Sequence, residues 1–339
     1  MTRAPTLSNL QLHGLGHAHP ENELSNEFLE SLDIGTDDEW IMERVGIHSR
    51  RTAMSLDYIR ETRNSDPRGA IEASEISNAD LGARAARLAV ERAGVSLSDV
   101  GMLVAGSCAP DTVSPAEACN ISKRLELEIP SFDVNSACTS FFAGVNVLSM
   151  MQADKLPPYV LLVAADVMTR TVDYNDRASA VLWGDGAAAA LLSTREPARA
   201  EIEGSTFAGS PAAADMIVVP RLGHFRQEGR QVQMFAIKKT SAFVKELKAE
   251  YEAPDRSFHF IGHQANLRML ETVCRRCEIE ADRHHYNVDW YGNSGSSSAA
   301  AVASMNWDKW SDADDVAMVG VGSGVAWSRY LIRFNGTRD

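Results

Sequence analysis

Long apolar runs are missing from this chain of 339 residues, and its first residues do not resemble a secretion signal. No stretch reaches the roughly 20 apolar residues that cross a bilayer, and Met1-Thr2-Arg3-Ala4-Pro5 leads into polar sequence. We therefore expect no membrane insertion and no secretion, and we predict a cytoplasmic protein. Cysteine is scarce as well. An odd count of five, without a framework spacing, favours reduced thiols over disulfides.

Basic charge is in deficit, with 33 Lys and Arg against 46 Asp and Glu, a net charge of -13. This balance argues against nucleic acid as a partner, and an acidic partner would need a local basic patch. Metal-ligand spacing is also lacking. Cys274 and Cys277 lie in a helical pattern without a second ligand pair, and His284-His285 has no ligand context. No metal site is predicted.

Apolar residues are abundant: 45% of the chain is hydrophobic, and its length favours two fused units. Strand and helix patterns alternate in the first half and then again in the second. Such a repeat predicts a duplicated α/β unit with the active site where the halves meet. In the first half, the pattern predicts strands over Val100–Ala105 and Tyr159–Ala165. Within Ala180–Leu192 it predicts two strands joined by a turn at Gly184-Asp185-Gly186. In the second half, it predicts a helix over Ser298–Met305 and strands over Phe258–Ile261, Val316–Val319 and Val325–Phe334.

A helix is predicted over Ala79–Ala93, with Asn78 as its N-cap and Gly94 at its end. The polar segment 55–77 before it holds a short helical stretch, Asp57–Arg63. We interpret the segment as an inserted surface element. It is either a lid over the entrance of the site or a solvated excursion without a role.

One cysteine stands between a strand pattern and a helix pattern. Ser131–Val134 is strand-like and Phe141–Met151 is an apolar helical run, so Cys138 should lie at a helix N-terminus. Unpaired N–H groups and the positive end of the helix dipole favour thiolate over thiol there. Free cysteines are mostly small buried hydrophobes, so the position indicates a nucleophile only if partners accompany it.

Two candidate partners lie in the far half of the chain. His263 follows the strand-like Phe258–Ile261, and Asn293 lies in a Gly-rich loop that precedes a helix. A cysteine, a histidine and an asparagine at the ends of predicted strands form a coherent set for acyl transfer.

Together these residues carry a family resemblance over essentially the whole chain. The sequence resembles the thiolase-fold condensing enzymes, and within them the β-ketoacyl-acyl-carrier-protein synthase III type. The resemblance implies an α/β fold, a duplicated thiolase-like unit layered α-β-α-β-α, with halves at 1–199 and 200–339. The matching motifs are Asp38-Glu39-Trp40-Ile41-Met42-Glu43-Arg44-Val45-Gly46-Ile47, Ser136-Ala137-Cys138, Asn175-Asp176-Arg177, Gly184-Asp185-Gly186, Gly262-His263-Gln264-Ala265-Asn266-Leu267-Arg268, Tyr291-Gly292-Asn293 and Gly320-Val321-Gly322-Ser323-Gly324.

The resemblance also implies roles for the site residues. Cys138 would take the acyl group from a thioester, while its own N–H and that of Ser323 form the oxyanion hole. His263 and Asn293 would bind the carbonyl of a malonyl-type extender and stabilise the enolate that decarboxylation leaves.

Other family matches concern binding. Trp40 and Arg177 resemble the pair that holds the adenine of coenzyme A, and Arg268 belongs to the same entrance. Arg268 also lies with Arg275 and Arg276 on one broad helical face, where an acidic acyl carrier protein would dock. No cofactor is implied beyond the coenzyme A or phosphopantetheine of the substrates. The family forms homodimers in which the partner's loop closes each acyl pocket.

Three positions assigned to the acyl pocket depart from the family pattern: Ser114, Thr139 and Val321. Ser114 and Val321 stand where larger aromatic residues are common, and Thr139 replaces a smaller residue. These exchanges suggest a pocket wider than acetyl requires. We therefore expect a specialised condensing enzyme acting on a longer or elaborated acyl chain in secondary metabolism, with a malonyl or β-ketoacyl carrier as acceptor.

Several alternatives remain open. The enzyme could move the acyl group from Cys138 to an oxygen or nitrogen acceptor, or it could be a housekeeping priming synthase of fatty-acid synthesis. A noncatalytic subunit of the same fold is disfavoured because Cys138, His263 and Asn293 are all present. Thiolase proper is disfavoured because the loop Gly320–Gly324 has no second cysteine.

Overall fold

The computed structural model of the chain describes residues 9–221 and 223–336, so the expectation about Met1-Thr2-Arg3-Ala4-Pro5 lies outside the described residues. The first half alternates strands and helices as its sequence pattern predicts. Its elements are β1 (Leu10–Ala18), β2 (Asn22–Ser25), α1 (Asn26–Ser31), α2 (Asp38–Arg44), β3 (Ser49–Thr52), α3 (Leu56–Thr62), α4 (Asn78–Ala93), β4 (Val100–Gly106), α5 (Glu117–Leu125), β5 (Ser131–Asp133), α6 (Ser140–Met150), β6 (Tyr159–Val167), α7 (Arg177–Ala180) and β7 (Asp185–Ser193).

The second half repeats the alternation with one long helix at its start. Its elements are β8 (Ala200–Gly209), β9 (Ile217–Val218), β10 (Arg226–Gln227), α8 (Gly229–Tyr251), β11 (Ser257–Gly262), α9 (Leu267–Cys277), α10 (Val288–Tyr291), α11 (Ser298–Met305), β12 (Asp314–Gly322) and β13 (Ala326–Phe334). None of the helices in the described part of the chain is both long and apolar enough to cross a membrane.

A nine-stranded sheet runs through both halves in the order β11-β12-β13-β8-β1-β7-β6-β4-β5. Each half has the same strand directions. β4 is parallel to β6, and β7 is antiparallel to both β6 and β1. Likewise β11 is parallel to β12, and β13 is antiparallel to both β12 and β8. The predicted repeat is therefore confirmed, and a short pairing of β1 with β8 joins the two halves.

Helices cover the sheets in layers. α4 packs on β1 and β7 of the first half, and α8 packs on β11, β12 and β13 of the second, with α9 against α8. α6 and α11 lie in the middle layer and contact strands of both halves. Both middle helices are apolar nearly all round, as helices buried on two sides must be. Their N-termini follow the Cys138 and Asn293 loops, so the layering brings both loops to the junction.

The prediction for one glycine motif is wrong. Gly184-Asp185-Gly186 does not join two strands: α7 precedes it, and a single strand, β7, begins at Asp185. A Cβ atom at Gly184 would lie 2.0 Å from the Tyr291 carbonyl oxygen. The glycine is needed there for a close approach of two backbones rather than for a turn, a contact that local turn chemistry cannot reveal.

The helix α4 begins at Asn78, one residue before its predicted start, and its N-cap is Ser77 rather than Asn78. The Ser77 hydroxyl accepts from the Asp80 N–H, and the Asp80 carboxylate accepts from the Ser77 N–H, which completes a capping box. The side chain of Asn78 instead accepts from the Val167 N–H at 2.7 Å. Gly94 ends the helix with a left-handed backbone, as predicted.

Segment 55–77 is anchored to the body of the protein. Asn64 is fully buried, and its carboxamide donates to the carbonyls of Arg170 and Val172, both at 2.8 Å. Ile59 and Ala70 are also fully buried. The segment is therefore not a solvated excursion, and none of its residues lines the cavity described below.

Candidate active site

Cys138 lies in a short 3-10 turn, Ala137–Thr139, between β5 and α6. The preceding residue, Ala137, has φ 47°, in the left-handed region that residues with a Cβ atom rarely occupy. This sharp turn ends the strand and directs the cysteine into the molecule, where it is 7% exposed. The predicted strand-cysteine-helix order is confirmed, and backbone strain at the nucleophile position is typical of functional sites.

The Gly-rich loop after β12 lies against this turn. A Cβ atom at Gly322 would lie 3.1 Å from the Cβ of Cys138 and 3.1 Å from the Thr139 nitrogen, so only glycine fits without displacement. The next residue, Ser323, directs its backbone N–H to the Cys138 sulfur. Its hydroxyl is occupied, since it donates to the Ile217 carbonyl at 2.6 Å. The loop thus supplies a backbone donor for charge at the nucleophile.

His263 follows β11 directly and is 8% exposed. Its Nδ1 lies 3.0 Å from the Ser298 hydroxyl, at the first turn of α11. That hydroxyl oxygen also faces the Gln264 N–H at 3.4 Å, so its own hydrogen is available to donate to Nδ1. We assign the Nε2–H tautomer on this basis, which makes Nε2 a donor toward the Cys138 sulfur and the cavity.

Asn293 is fixed by its backbone between the two halves. Its N–H donates to the Leu182 carbonyl at 2.9 Å, and its carbonyl accepts from the Gly184 N–H at 3.1 Å. The side-chain oxygen accepts from the Gly295 N–H at 3.1 Å. The carboxamide nitrogen therefore carries the donors that Asn293 presents to the cavity it lines.

A second thiol, which the sequence analysis did not identify, touches the nucleophile. Cys108 lies just beyond β4, and its Sγ is 3.8 Å from the Cys138 Sγ. The Cys108 thiol, together with His263 and the Ser323 N–H, holds the pKa of Cys138 well below its usual range. The same hydrogen bond, burial and the nearby Asp166 carboxylate raise the pKa of Cys108.

Asp166, at the end of β6, ties the two loops of the site together. It is fully buried and accepts from the Ser107 hydroxyl at 2.8 Å and the Cys108 N–H at 2.5 Å. Its other oxygen accepts from the N–H and the hydroxyl of Ser296, both at 2.6 Å. Burial raises the pKa of Asp166. Gly295 makes room for this carboxylate, because a Cβ atom there would lie 2.4 Å from Asp166 Oδ2.

A cavity of about 420 Å³ connects these groups to the surface. Cys138, His263 and Asn293 all line it, and so does the partly exposed Trp40. Val321, which the sequence analysis assigned to the acyl pocket, also lines the cavity. Most of the remaining wall is apolar and includes Leu182, Trp183, Met216, Phe225, Val232, Phe235 and Met269. The Cys138 residue thus lines a mostly apolar cavity that can enclose part of a substrate.

Two guanidinium groups pack on the Trp40 ring. The Cζ of Arg177 lies 4.9 Å from the ring centroid, and the Cζ of Arg44 lies 4.5 Å from it. Arg177 was predicted from the sequence, whereas Arg44 was missed although it stands one helical turn after Trp40 on α2. Both distances are within the range of cation–π contacts. The cavity entrance thus combines an aromatic face with two positive charges.

The three arginines assigned to carrier docking lie on α9 but differ in their surroundings. Arg268 donates twice to the Met42 carbonyl, at 3.0 and 2.7 Å, and also pairs with Glu271 at 3.1 Å. Arg268 therefore binds a free carbonyl in the last turn of α2, next to the cavity entrance. Arg275 and Arg276 are exposed near the C-terminal end of the same helix.

Two residues assigned to the acyl pocket do not line this cavity. Thr139 is fully buried, and its hydroxyl donates to the Ser136 carbonyl at 2.8 Å, so it supports the turn around Cys138. Ser114 is exposed on the loop 110–115, next to Val113, which is 73% exposed. Neither side chain forms part of the wall around Cys138 within its own chain.

The base of the loop 110–115 holds a buried acidic residue. Glu117 accepts from the Asp111 N–H at 2.8 Å, and Asp111 forms an ion pair with Arg170. Burial, together with the nearby carboxylates of Asp111 and Asp133, raises the pKa of Glu117 to about 7. This carboxyl group therefore titrates near neutrality at the point where the loop leaves the protein.

No group of three or more His, Cys, Asp or Glu side chains is placed to hold a metal ion in residues 9–221 and 223–336. Cys274 and Cys277 are buried on α9, and burial raises the pKa of both thiols. Neither thiol reaches the cavity.

Comparison with known proteins agrees with this geometry. The family model described as 3-Oxoacyl-[acyl-carrier-protein (ACP)] synthase III matches residues 132–210, and the model of its C-terminal part matches 248–334. A β-ketoacyl-[acyl-carrier-protein] synthase III of Alkalilimnicola ehrlichii is 31% identical over 346 residues, covering 97% of this chain and 100% of the relative. Another, of a Roseiflexus species, is 30% identical and covers 95% and 97%.

Solved structures of the same kind superpose closely. The 3-oxoacyl-(acyl carrier protein) synthase III of Pseudomonas aeruginosa PAO1 has a TM-score of 0.84 at 26% identity, covering 98% of this chain and all of that one. The priming β-ketosynthase of the R1128 polyketide pathway, at 23% identity and a TM-score of 0.80, shares the fold. The chain therefore belongs to the β-ketoacyl-acyl-carrier-protein synthase III family of thiolase-fold enzymes and is a condensing enzyme of the acyltransferase class.

Proposed function

We propose that this enzyme takes an acyl group from a coenzyme A or carrier-protein thioester onto Cys138 and joins it to a malonyl-type carrier thioester by decarboxylative condensation. The observation that supports this most is the convergence of the Cys138 sulfur, His263 and Asn293 on one cavity. A hydrolase or simple acyltransferase needs a nucleophile and a base. The additional carboxamide donor of Asn293 beside His263 favours chemistry through an enolate.

In the first half-reaction, the Cys138 thiolate attacks the thioester carbonyl. The N–H groups of Cys138 and Ser323 stabilise the negative charge that develops on the carbonyl oxygen. The carrier sulfur leaves, and the acyl group stays on Cys138. The cavity that Trp40 also lines fits the pantetheine arm that brings the thioester in.

In the second half-reaction, the extender carbonyl lies against His263 Nε2–H and the Asn293 carboxamide. Carbon dioxide leaves, and the electron pair of the broken bond moves to the carbonyl oxygen as an enolate that these two donors stabilise. The enolate carbon then attacks the acyl group, and the carbon–sulfur bond to Cys138 breaks. Loss of one donor of this kind typically lowers the rate by about 100-fold to 1000-fold.

Coenzyme A and an acidic carrier protein are the proposed partners. Trp40, Arg44 and Arg177 would bind the nucleotide end of coenzyme A through stacking and charge. The exposed Arg275 and Arg276 offer positive charge on a chain whose net charge is -13. This local contrast supports docking of an acidic partner on α9.

We also propose a homodimer, as the family resemblance implies. Val113 and Ser114 protrude from the described part of the chain without lining its own cavity, which suits a loop that enters a second copy. Light scattering should give twice the chain mass of 37.0 kDa. A monomer at working concentration would contradict this arrangement.

The metabolic role has two candidates. Priming of fatty-acid synthesis fits the names of the β-ketoacyl-[acyl-carrier-protein] synthase III relatives reported above. A specialised role with longer acyl chains is supported by Ser114 and Val321, which leave space where the family often has aromatic rings. The donor preference distinguishes them, because a priming enzyme should favour short donors.

Intact mass spectrometry tests the function. Wild-type protein is incubated with a panel of acyl donors and weighed, and malonyl and β-ketoacyl carriers are then added. We expect an acyl adduct that Cys138→Ala cannot form, and a β-ketoacyl product. His263→Ala and Asn293→Ala should still load but fail to condense. Near-normal condensation by both variants would show that the enolate assignment is wrong, and transfer of the acyl group to an amine or alcohol would favour the acyltransferase alternative.

A further inference from the structure

The duplicated fold places Cys108 in a position related to that of His263. β4 and β11 correspond in the two halves, since each is parallel to its neighbour, β6 or β12. His263 follows the end of β11 at Gly262, and Cys108 lies just beyond the end of β4 at Gly106. Each half therefore sends one side chain toward Cys138 from the end of its corresponding strand. The mechanism described above uses His263 and leaves Cys108 without a role.

The surroundings of the two sulfurs determine which one carries the negative charge. Cys138 faces the Ser323 N–H and His263, and α6 begins two residues after it. These groups stabilise a thiolate. Cys108 instead lies beside the buried carboxylate of Asp166, which accepts from its N–H at 2.5 Å. A thiolate at Cys108 would face both this carboxylate and Cys138, so the shared proton stays on Cys108.

We propose that Cys108 is a second catalytic residue, whose thiol donates a hydrogen bond to the Cys138 sulfur whenever that sulfur is charged. The inference deepens the function proposed above and rests on it. The 3.8 Å separation of the two Sγ atoms is within hydrogen-bonding distance for sulfur. A thiol is a weak donor in water, but it contributes more here because Cys138 is buried and Cys108 is partly buried.

The hydrogen bond acts in both half-reactions. Before loading, it stabilises the attacking thiolate of Cys138. During condensation, the new carbon–carbon bond forms, the carbon–sulfur bond breaks, and the electron pair returns to Cys138 beside the same donor. While Cys138 carries a neutral thioester, the Cys108 thiol turns to Asp166, the other acceptor within reach. Cys108 keeps its proton throughout, so the cycle needs no oxidant and no additional base.

The test follows the reactivity of Cys138 with pH. Wild type, Cys108→Ala and Cys108→Ser are treated with iodoacetamide from pH 5 to 10, and alkylation of the peptide containing Cys138 is measured by mass spectrometry. The reaction midpoint should rise by about one pH unit in Cys108→Ala, because the charged Cys138 sulfur loses one hydrogen bond. Cys108→Ser retains a donor and should lie between the two. Cys119→Ala, a change at an exposed cysteine on α5, should match wild type.

Single-turnover loading at pH 7 provides the second readout. Cys108→Ala should load about tenfold more slowly than wild type, with Cys108→Ser in between. If alanine leaves too much empty space for folding, Cys108→Val fills the volume without a donor. A midpoint and a loading rate equal to those of wild type in the folded Ala or Val variant would overturn the role of Cys108. If wild type takes up no acyl group at all, the proposed function fails, while the iodoacetamide titration still reports on the thiol pair.

Discussion

The contact between Gly322 and Cys138 gives the sharpest test of how the two halves build the site. Gly322 ends β12 in the second half, and Cys138 lies in the turn before α6 in the first half. An alanine at 322 would place its Cβ 3.1 Å from both the Cys138 Cβ and the Thr139 nitrogen. Ordinary contacts between such atoms are several tenths of an ångström longer. The turn that carries the nucleophile must therefore move away from the Ser323 N–H, or the loop must retreat from it.

The size of the effect follows from this displacement. Overpacking by one methyl group in a tight site costs about 1–3 kcal/mol. If the strain falls on the alignment of Cys138 with its oxyanion donors, the loading rate should decrease by about 10-fold to 100-fold, since each 1.4 kcal/mol is a factor of ten. The side chains of Cys138, His263 and Asn293 remain present. A lower loading rate would therefore result from misplacement of these groups and not from the removal of a reacting side chain.

The assay is single-turnover acyl loading of Gly322→Ala, read by intact mass. Gly69→Ala is the matched control, because a Cβ atom there meets its nearest neighbour, the Tyr58 hydroxyl, at an ordinary 3.4 Å and lies outside the cavity lining. Thermal unfolding of both variants checks that the fold persists. Loading by Gly322→Ala at the wild-type rate would refute the close packing of the Gly-rich loop against the nucleophile.

Three further predictions concern the pocket loop and the thiol pair. Because the pKa of Glu117 is raised to about 7, the folded state binds the proton of this carboxyl group more tightly than the unfolded state does. Protonated Glu117 therefore stabilises the fold fully below about pH 4.5, and this contribution is lost as the pH rises through 7. At pH 8, Glu117→Gln should therefore be more stable than wild type, with a free energy of unfolding higher by about 3 kcal/mol and a higher unfolding temperature. Near pH 5 the two proteins should differ little. Equal shifts in unfolding temperature at both pH values would contradict this. Ser114→Phe should reduce loading by long acyl donors much more than by acetyl donors in a competition assay, because the ring fills space in the pocket it enters; an unchanged preference would remove Ser114 from that pocket. Dilute hydrogen peroxide should oxidise Cys138 to a sulfenic acid that condenses with Cys108 to a disulfide reversible by dithiothreitol, whereas Cys108→Ala should retain the sulfenic acid, as a dimedone probe would report.

Local sequence was sufficient for the elements around the site. The strand-like Ser131–Val134 followed by an apolar helical run placed Cys138 at the turn between them, because strand and helix periods differ over a few residues. The same reasoning placed His263 after a strand and Asn293 before a helix. Repetition of the pattern along the chain also predicted the duplicated fold. Each of these features depends on residues that are neighbours in sequence.

Contacts between distant segments were decided only by the tertiary structure. The sequence predicted Gly184 as a turn residue, whereas the Tyr291 carbonyl packs against it, and Thr139 supports a turn instead of lining the cavity. Cys108 has no local signal, since a cysteine after a strand is usually a small buried hydrophobe. It reaches Cys138 because the pairing of β4 with β6 and the burial of Asp166 fix the loop that carries it. The sequence by itself determined which residues could react, while strand register and the packing of two halves determined which of them meet.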